Sequence, residues 1–436
     1  MFKKLQEFQF LSRYKLFNFS LRLRHKTTTD CVEKDKSTKV ASDVVKFLQN
    51  SDEYRDVTDK LPKSLLRKYR SPESMYLINR KTAKDIVNTV KEHLNDSPII
   101  EVNPGLGLIT ERLLHCQKNH IYLYESLSYF SQHLHALQRQ YPNQITLKIA
   151  DFFKMWKLAF QDKMDNGSRV RELLGNLYTH DNEGVVKIIG SMPGLSFIKH
   201  LIFNIVFHNT TNQFGRPDLF ITLPVHQYEF LTDSEVQLSK HISVPSLFQL
   251  LFNYKVLKSV PKVHFLPWIH QPPSSKGRMM DEYNLYLVNI TQKEQLPCPS
   301  KYLPLLWYFF KPHVFSKSTR VIPMLEQWIP GCGVWLITGQ DPPDTNRQLS
   351  PGKDDAELPH MTIFTEFRDL TLYQKLTVFK RFISWPEFEQ CQFRVTMENN
   401  LPRYVTELEK DDKDTTITHI DEDIEHSDIE NDEFDK

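Results

Sequence analysis

Apolar residues recur along this chain at two periods. Ala83, Ile86, Val87 and Val90 fall at i, i+3, i+4 and i+7, which predicts one buried face of a helix within residues 71–92. Beyond it come short apolar runs of strand length: Ile99–Val102, Ile121–Tyr124, Ile145–Ile149, Val185–Ile189 and Leu219–Leu223. Helical spacing resumes between them, from Leu108, across Ser128–Arg139 and across Phe197–Phe207, with a polar insertion at Gln161–Gly184. Strands alternating with helices predict a doubly wound α/β domain with a parallel sheet. Two later runs, Lys255–Lys262 and Asn284–Ile290, predict further strands. The proline-rich stretch Leu296–Pro304 marks a domain boundary. Residues 305–400 read mainly as helices, with Leu376, Phe379 and Phe382 spaced for burial in Leu372–Ile383.

Composition changes this picture mostly at the two ends. The 436 residues are 40% hydrophobic and 12% aromatic, enough to fill real cores. No apolar run approaches the ~20 residues of a bilayer-spanning helix, so no membrane insertion is expected. The net charge of +1 conceals a segregation: residues 411–436 hold twelve acids and two lysines, leaving the rest of the chain near +11. A basic body suits phosphate-bearing partners. The acidic segment 406–436, poor in aromatics, reads as a disordered tail. Residues 1–29 carry Lys3, Lys4, Arg13, Lys15, Arg22, Arg24 and Lys26 against the single acid Glu7, the composition of a mitochondrial targeting segment. Residues 30–70 read as a polar linker followed by a basic helix, with Lys60, Lys63 and Arg67 near one face and Leu61, Leu65 and Leu66 on the other. Five cysteines in an odd, unclustered set (31, 116, 298, 332 and 391) argue against a disulfide framework and for a reducing compartment. No His/Cys spacing fits a metal site, and none is expected.

The chemistry concentrates between Ile99 and Leu114, where a strand ends at Glu101 and Val102, a turn with Gly105 and Gly107 follows, and a helix opens. Glycines there let the backbone turn sharply and approach a ligand closely, and the helix N-terminus offers free N–H groups. Glu125 ends the second strand, where a carboxylate can accept from both ribose hydroxyls of an adenosine ligand. Asp151 follows the third strand and can accept from an adenine amino group, with Phe152 or Phe153 to stack on the ring. Glu101 favours a cationic ammonium and disfavours a pyrophosphate. Thr110 stands where a dinucleotide site would want a third glycine. The set points to S-adenosylmethionine rather than a dinucleotide.

These residues resemble the rRNA adenine N6-dimethyltransferase family, and within it the mitochondrial members. The resemblance runs from about Ser71 to Phe388 and rests on E-V-N-P-G-L-G-L-I-T, on Glu125, on Ala150–Lys154 and on the late helical region. The opening motif G-Q-N-F-L-x-D falls on Glu73–Asn79, where Leu77 is identical and Tyr76 replaces the aromatic. The resemblance implies a Rossmann-like methyltransferase domain at 71–295 and a smaller helical domain at 296–405. Leu77, Glu101, Asn103, Gly105, Gly107, Glu125 and Asp151 would bind the cofactor. Two departures stand out. Asn103 replaces the first glycine of E-x-G-x-G-x-G. The catalytic N-L-P-Y after the fourth strand becomes Ser191-Met192-Pro193-Gly194, so Ser191 and Pro193 are a degenerate catalytic pair. In the family the Asn holds the target amino group and the aromatic stacks on the extruded base. The pattern implies a scaffold turned to a second role, promoter melting with the mitochondrial RNA polymerase on mitochondrial promoter DNA, in the matrix nucleoid. Dimethylation of adenines in small-subunit rRNA is the alternative. A nucleic-acid surface is expected at Lys60, Lys63 and Arg67 and along Tyr254–Arg278, with Lys255, Lys258, Lys262, His264, Trp268, His270, Lys276 and Arg278.

Overall fold

The computed structural model describes residues 41–69, 72–116, 119–177, 185–207, 215–232, 243–269, 283–311, 319–338 and 357–400. The expected targeting segment 1–29, the acidic tail, and His270, Lys276 and Arg278 lie outside the described residues.

The apolar runs become the strands of a seven-stranded sheet: β1 Ile99–Val102, β2 Ile121–Glu125, β3 Ile145–Ile149, β4 Val185–Ser191, β5 Arg216–Pro224, β6 Phe252–Pro261 and β7 Asn284–Gln292. Their spatial order is β3-β2-β1-β4-β5-β7-β6. Neighbours are parallel through β5, whereas β7 runs antiparallel to both β5 and β6. The expected doubly wound parallel sheet is thus present, with one antiparallel strand, β7. β7 carries the apolar run Leu285–Val288 and β6 alternates only as far as Val256, and strand direction is not readable from either pattern. β5 lies inside the sheet, and eight of its nine residues are buried.

Adjacent side chains on each strand enter opposite cores. Ile99, Ile189, Phe220 and Leu287 face helices Arg80–Val90, Leu108–Cys116 and Ser131–Gln140. Ile100, Ile188, Leu219 and Val288 face helices Ser196–Phe207 and Ser243–Leu251. The late helices Leu303–Phe309, Val321–Trp328 and Leu372–Ser384 join that second core, and Phe207 meets Trp307 at 5.2 Å. One hydrophobic cluster thus crosses the proline-rich stretch at 296–304. Ala83, Ile86, Val87 and Val90 are all buried on the helix that Asn79 caps, its side chain accepting from the Thr82 N–H at 2.8 Å.

The N-terminal segment departs from expectation. Residues 42–49 form a helix whose Val44 and Leu48 are fully buried. Tyr54, Val57, Leu61 and Leu65 join the same core. The spacing of these few apolar residues is too short to register as a periodic signal. The expected basic helix is absent: a one-turn helix ends at Thr58, and a 3₁₀ turn, Lys63–Leu66, starts after Pro62. Proline lacks the N–H that would continue a helix through this point. The described part of the polar insertion is also largely helical, within Met155–Asp165 and Arg169–Leu174.

Candidate functional site

The strand order reverses between β1 and β4, and in open α/β sheets ligands bind beyond the carboxyl ends of strands at such a point. β1 and β2 are paired, so Glu101 and Glu125 leave adjacent strand ends. Asn103 follows at φ 55°, its N–H donating to the Tyr124 carbonyl at 2.8 Å and its Oδ1 accepting from the Ser126 hydroxyl at 2.9 Å. Asparagine tolerates this left-handed backbone better than most residues, which accounts for its standing in a glycine position. Gly105 (φ 56°) and Gly107 (φ 69°) complete the turn.

Every residue from Glu101 to Thr110 is buried. The two carboxylates are satisfied from within the chain. Glu101 accepts from the Thr110 hydroxyl at 2.7 Å, and burial pushes its carboxyl up to about 7, with Glu125 adding to the rise. Glu125 Oε1 accepts from the Tyr76 hydroxyl at 3.0 Å and from the Leu127 N–H at 2.7 Å; Oε2 accepts from the Gly105 N–H at 2.9 Å. Burial raises its pKa against these donors. Leu77, beside Tyr76, is buried and pairs with Phe265.

Asp151 is different. Its Oδ2 lies 3.3 Å from Lys154 Nζ, and Lys154 also pairs with Glu73. Its Oδ1 is buried with no hydrogen-bond partner. An orphaned acceptor of this kind fits a donor such as an adenine amino group. Asp151 therefore fits the adenine end of S-adenosylmethionine, whereas Glu125, expected to meet a ribose, already has donors on both oxygens. The two aromatics after Asp151 belong to the core: Phe152 packs on Tyr124 at 4.9 Å and Phe153 on Phe197 at 5.2 Å.

At the end of β4, Ser191 and Met192 are buried and Pro193 and Gly194 half-buried. The Met192 N–H donates to the Thr222 carbonyl at 2.8 Å. A Cβ at Gly194 would meet nothing within 4 Å.

The described residues among those expected to bind nucleic acid differ in exposure and pairing. Lys60 and Lys63 are exposed, while Arg67 is half-buried with its Nε unpartnered. Lys255 is exposed on the edge strand β6, whereas Lys258 pairs with Asp85 at 3.2 Å. Lys262 has a partner and is half-buried. Trp268 packs on Phe47 at 5.4 Å, and His264 shares a hydrogen bond with Thr82 at 2.7 Å. Among the described residues no cluster of three or more His, Cys, Asp or Glu is placed to hold a metal, and no helix is long and apolar enough to cross a membrane.

A profile of the ribosomal RNA adenine dimethylase family matches residues 66–335. The chain is 33% identical over 403 residues to the dimethyladenosine transferase 2, mitochondrial, of Drosophila melanogaster, covering 84% of this chain and 88% of that one. It is 27% identical over 322 residues to the Mus musculus protein of the same name, covering 67% and 76%. A solved dimethyladenosine transferase from Plasmodium falciparum aligns over 70% of this chain and 95% of its own, at 14% identity and a TM-score of 0.39.

Proposed function

The chain belongs to the ribosomal RNA adenine dimethylase family, and from that premise we propose that it serves the mitochondrial RNA polymerase as an initiation factor that helps open promoter DNA. The adenine dimethyltransferase scaffold would then be kept for nucleic-acid binding rather than for efficient methyl transfer. The observation that carries this reading is Ser191-Met192-Pro193-Gly194 at the end of β4. A serine hydroxyl is too short to replace the asparagine amide that aims the target nitrogen, and glycine offers no face for an extruded base. Positioning supplies much of the acceleration of a group transfer, so losing both groups is costly. The location follows as part of the proposal: residues 1–29 direct the chain to the matrix, where the polymerase and promoter DNA reside. Residues 71–295 form the methyltransferase-type domain and 296–405 the helical one. Exposed Lys60, Lys63 and Lys255 contribute phosphate contacts.

The second reading is retained methylation of small-subunit rRNA with S-adenosylmethionine, and the unpartnered Oδ1 of Asp151 favours it. Two assays separate the readings. Run-off transcription by the cognate mitochondrial polymerase should rise on addition of the purified chain to linear duplex promoter, and rise less on a premelted bubble. No stimulation on either template overturns the initiation reading. Methyl transfer to an rRNA hairpin should be slow or absent; a rate equal to that of an N-L-P-Y enzyme restores the methyltransferase reading.

A further inference from the structure

Tyr76 stands where a cofactor cradle would be open. Its hydroxyl reaches Glu125 Oε1 and Ser126 Oγ, each at 3.0 Å. Its ring lies on Gly105: a Cβ there would meet Tyr76 Cδ1 at 2.8 Å. Phe130 backs the ring at 5.3 Å. Tyr76 is 1% exposed and Glu125 0%. We propose that Tyr76 is a built-in occupant of the nucleoside end of this cradle. Its hydroxyl replaces a ribose hydroxyl on Glu125; the ring itself stands where the opening motif already carries an aromatic, so the hydroxyl is the group this chain adds. An adenosine-containing ligand gains Glu125 only when Tyr76 leaves.

Two features argue against Tyr76 being an ordinary core aromatic whose hydroxyl found the nearest acceptor. First, the carboxylate it touches is the one aimed at a ribose, and the acid aimed at adenine, Asp151, still carries a buried oxygen with no partner. A cradle that had merely decayed would not keep one end poised and the other filled. Second, the tyrosine is held from behind. Tyr76–Leu77 pairs antiparallel with Phe265–Leu266, and the Ile78 N–H donates to the His264 carbonyl at 2.9 Å. Asn79 donates to Glu53 Oε1 at 2.8 Å and to the Tyr54 hydroxyl at 2.9 Å. The occupant is therefore tied to the folded segment 42–66, and its release is coupled to that segment.

The test is calorimetric titration of S-adenosylmethionine and S-adenosylhomocysteine into the full chain and its Tyr76→Phe and Tyr76→Ala variants. Tyr76→Phe keeps the ring and removes one of the two donors on Glu125 Oε1, leaving the Leu127 N–H, so it should bind a few-fold more tightly than the unaltered chain. Tyr76→Ala removes the hydroxyl together with the ring that supports Gly105, so it should gain no more than Tyr76→Phe. Amide exchange at residues 103–107 should quicken in Tyr76→Ala without ligand and slow again when ligand is added. Equal affinity in all three proteins overturns the proposal. So does weaker binding by Tyr76→Phe, which would make the hydroxyl a ligand contact. If Tyr76→Ala does not fold, the phenylalanine variant decides alone. Neither polymerase nor template enters the assay, so its outcome stands apart from the transcription reading.

Discussion

Glu101 shows what burial does to a single group at this site. It is 2% exposed, its side-chain donor is Thr110, and Glu125 adds like charge nearby. Its carboxyl rises from 4.5 to about 7. Between those values the folded chain binds more protons at this position than the unfolded chain. Stability contributed here is therefore full below pH 4.5 and lost as pH rises towards 7. The loss at pH 8 is on the order of 3 kcal/mol. Glu101→Gln keeps an acceptor for Thr110 and removes the titration. Urea melts should show the variant and the unaltered chain alike near pH 4 and the variant more stable at pH 8. A variant less stable at pH 8 would mean that the ionised carboxylate is well solvated in the folded state. A cation placed beside Glu101 would restore the charged form.

At the scale of elements, the sheet contains a charged pair that the site does not use. Lys187 on β4 reaches Asp218 on β5 at 2.5 Å, and Asn289 on β7 donates to the same aspartate at 2.6 Å. The pair ties three neighbouring strands, and both partners are largely buried. Replacing Asp218 with Ala strands a buried ammonium and should cost about 3–5 kcal/mol by chemical denaturation. The double change Lys187→Met, Asp218→Leu should recover most of it, because the desolvation penalty leaves with the charges. A double variant no better than the single would assign the loss to packing. Elements of this sheet were legible in the sequence where they carried a period: β3 spans the predicted Ile145–Ile149, and the helix predicted from Ala83 to Val90 buries all four expected positions. The meeting of Glu101, Gly105, Gly107 and Glu125 was legible for the same reason, since short apolar runs set where strands end. Helix Ser42–Gln49 was not, because two buried residues make no pattern. Tyr76 on Glu125 was not either: 49 residues separate them, and no local rule joins them. The one available signal was the hydroxyl itself, since a tyrosine in a buried motif position needs a hydrogen-bond partner.

For the whole molecule, the segregated charge predicts a competition. The last 26 residues carry a net −10 and the remainder about +11, joined in one chain. A tethered polyanion presents its charges to the basic body at a concentration no free competitor matches. On the proposed function, phosphates of DNA or RNA would have to displace both counterions and the chain's own acids, and at ~0.1 M salt the Debye length is only ~10 Å, which would limit the competition to close approach. Removing residues 411–436 should therefore tighten nucleic-acid binding at low salt and steepen its dependence on salt. The two affinities should converge as salt rises, because screening weakens tail and phosphate alike. Fluorescence anisotropy of a labelled promoter duplex across a salt series measures both the affinity and the slope. Equal affinities at the lowest salt would show that the acidic segment does not contend for the nucleic-acid surface. A uniform offset that persisted at high salt would assign the difference to something other than charge. The expected convergence separates a screened competitor from a steric one, because a steric block keeps its effect when the charges are silenced.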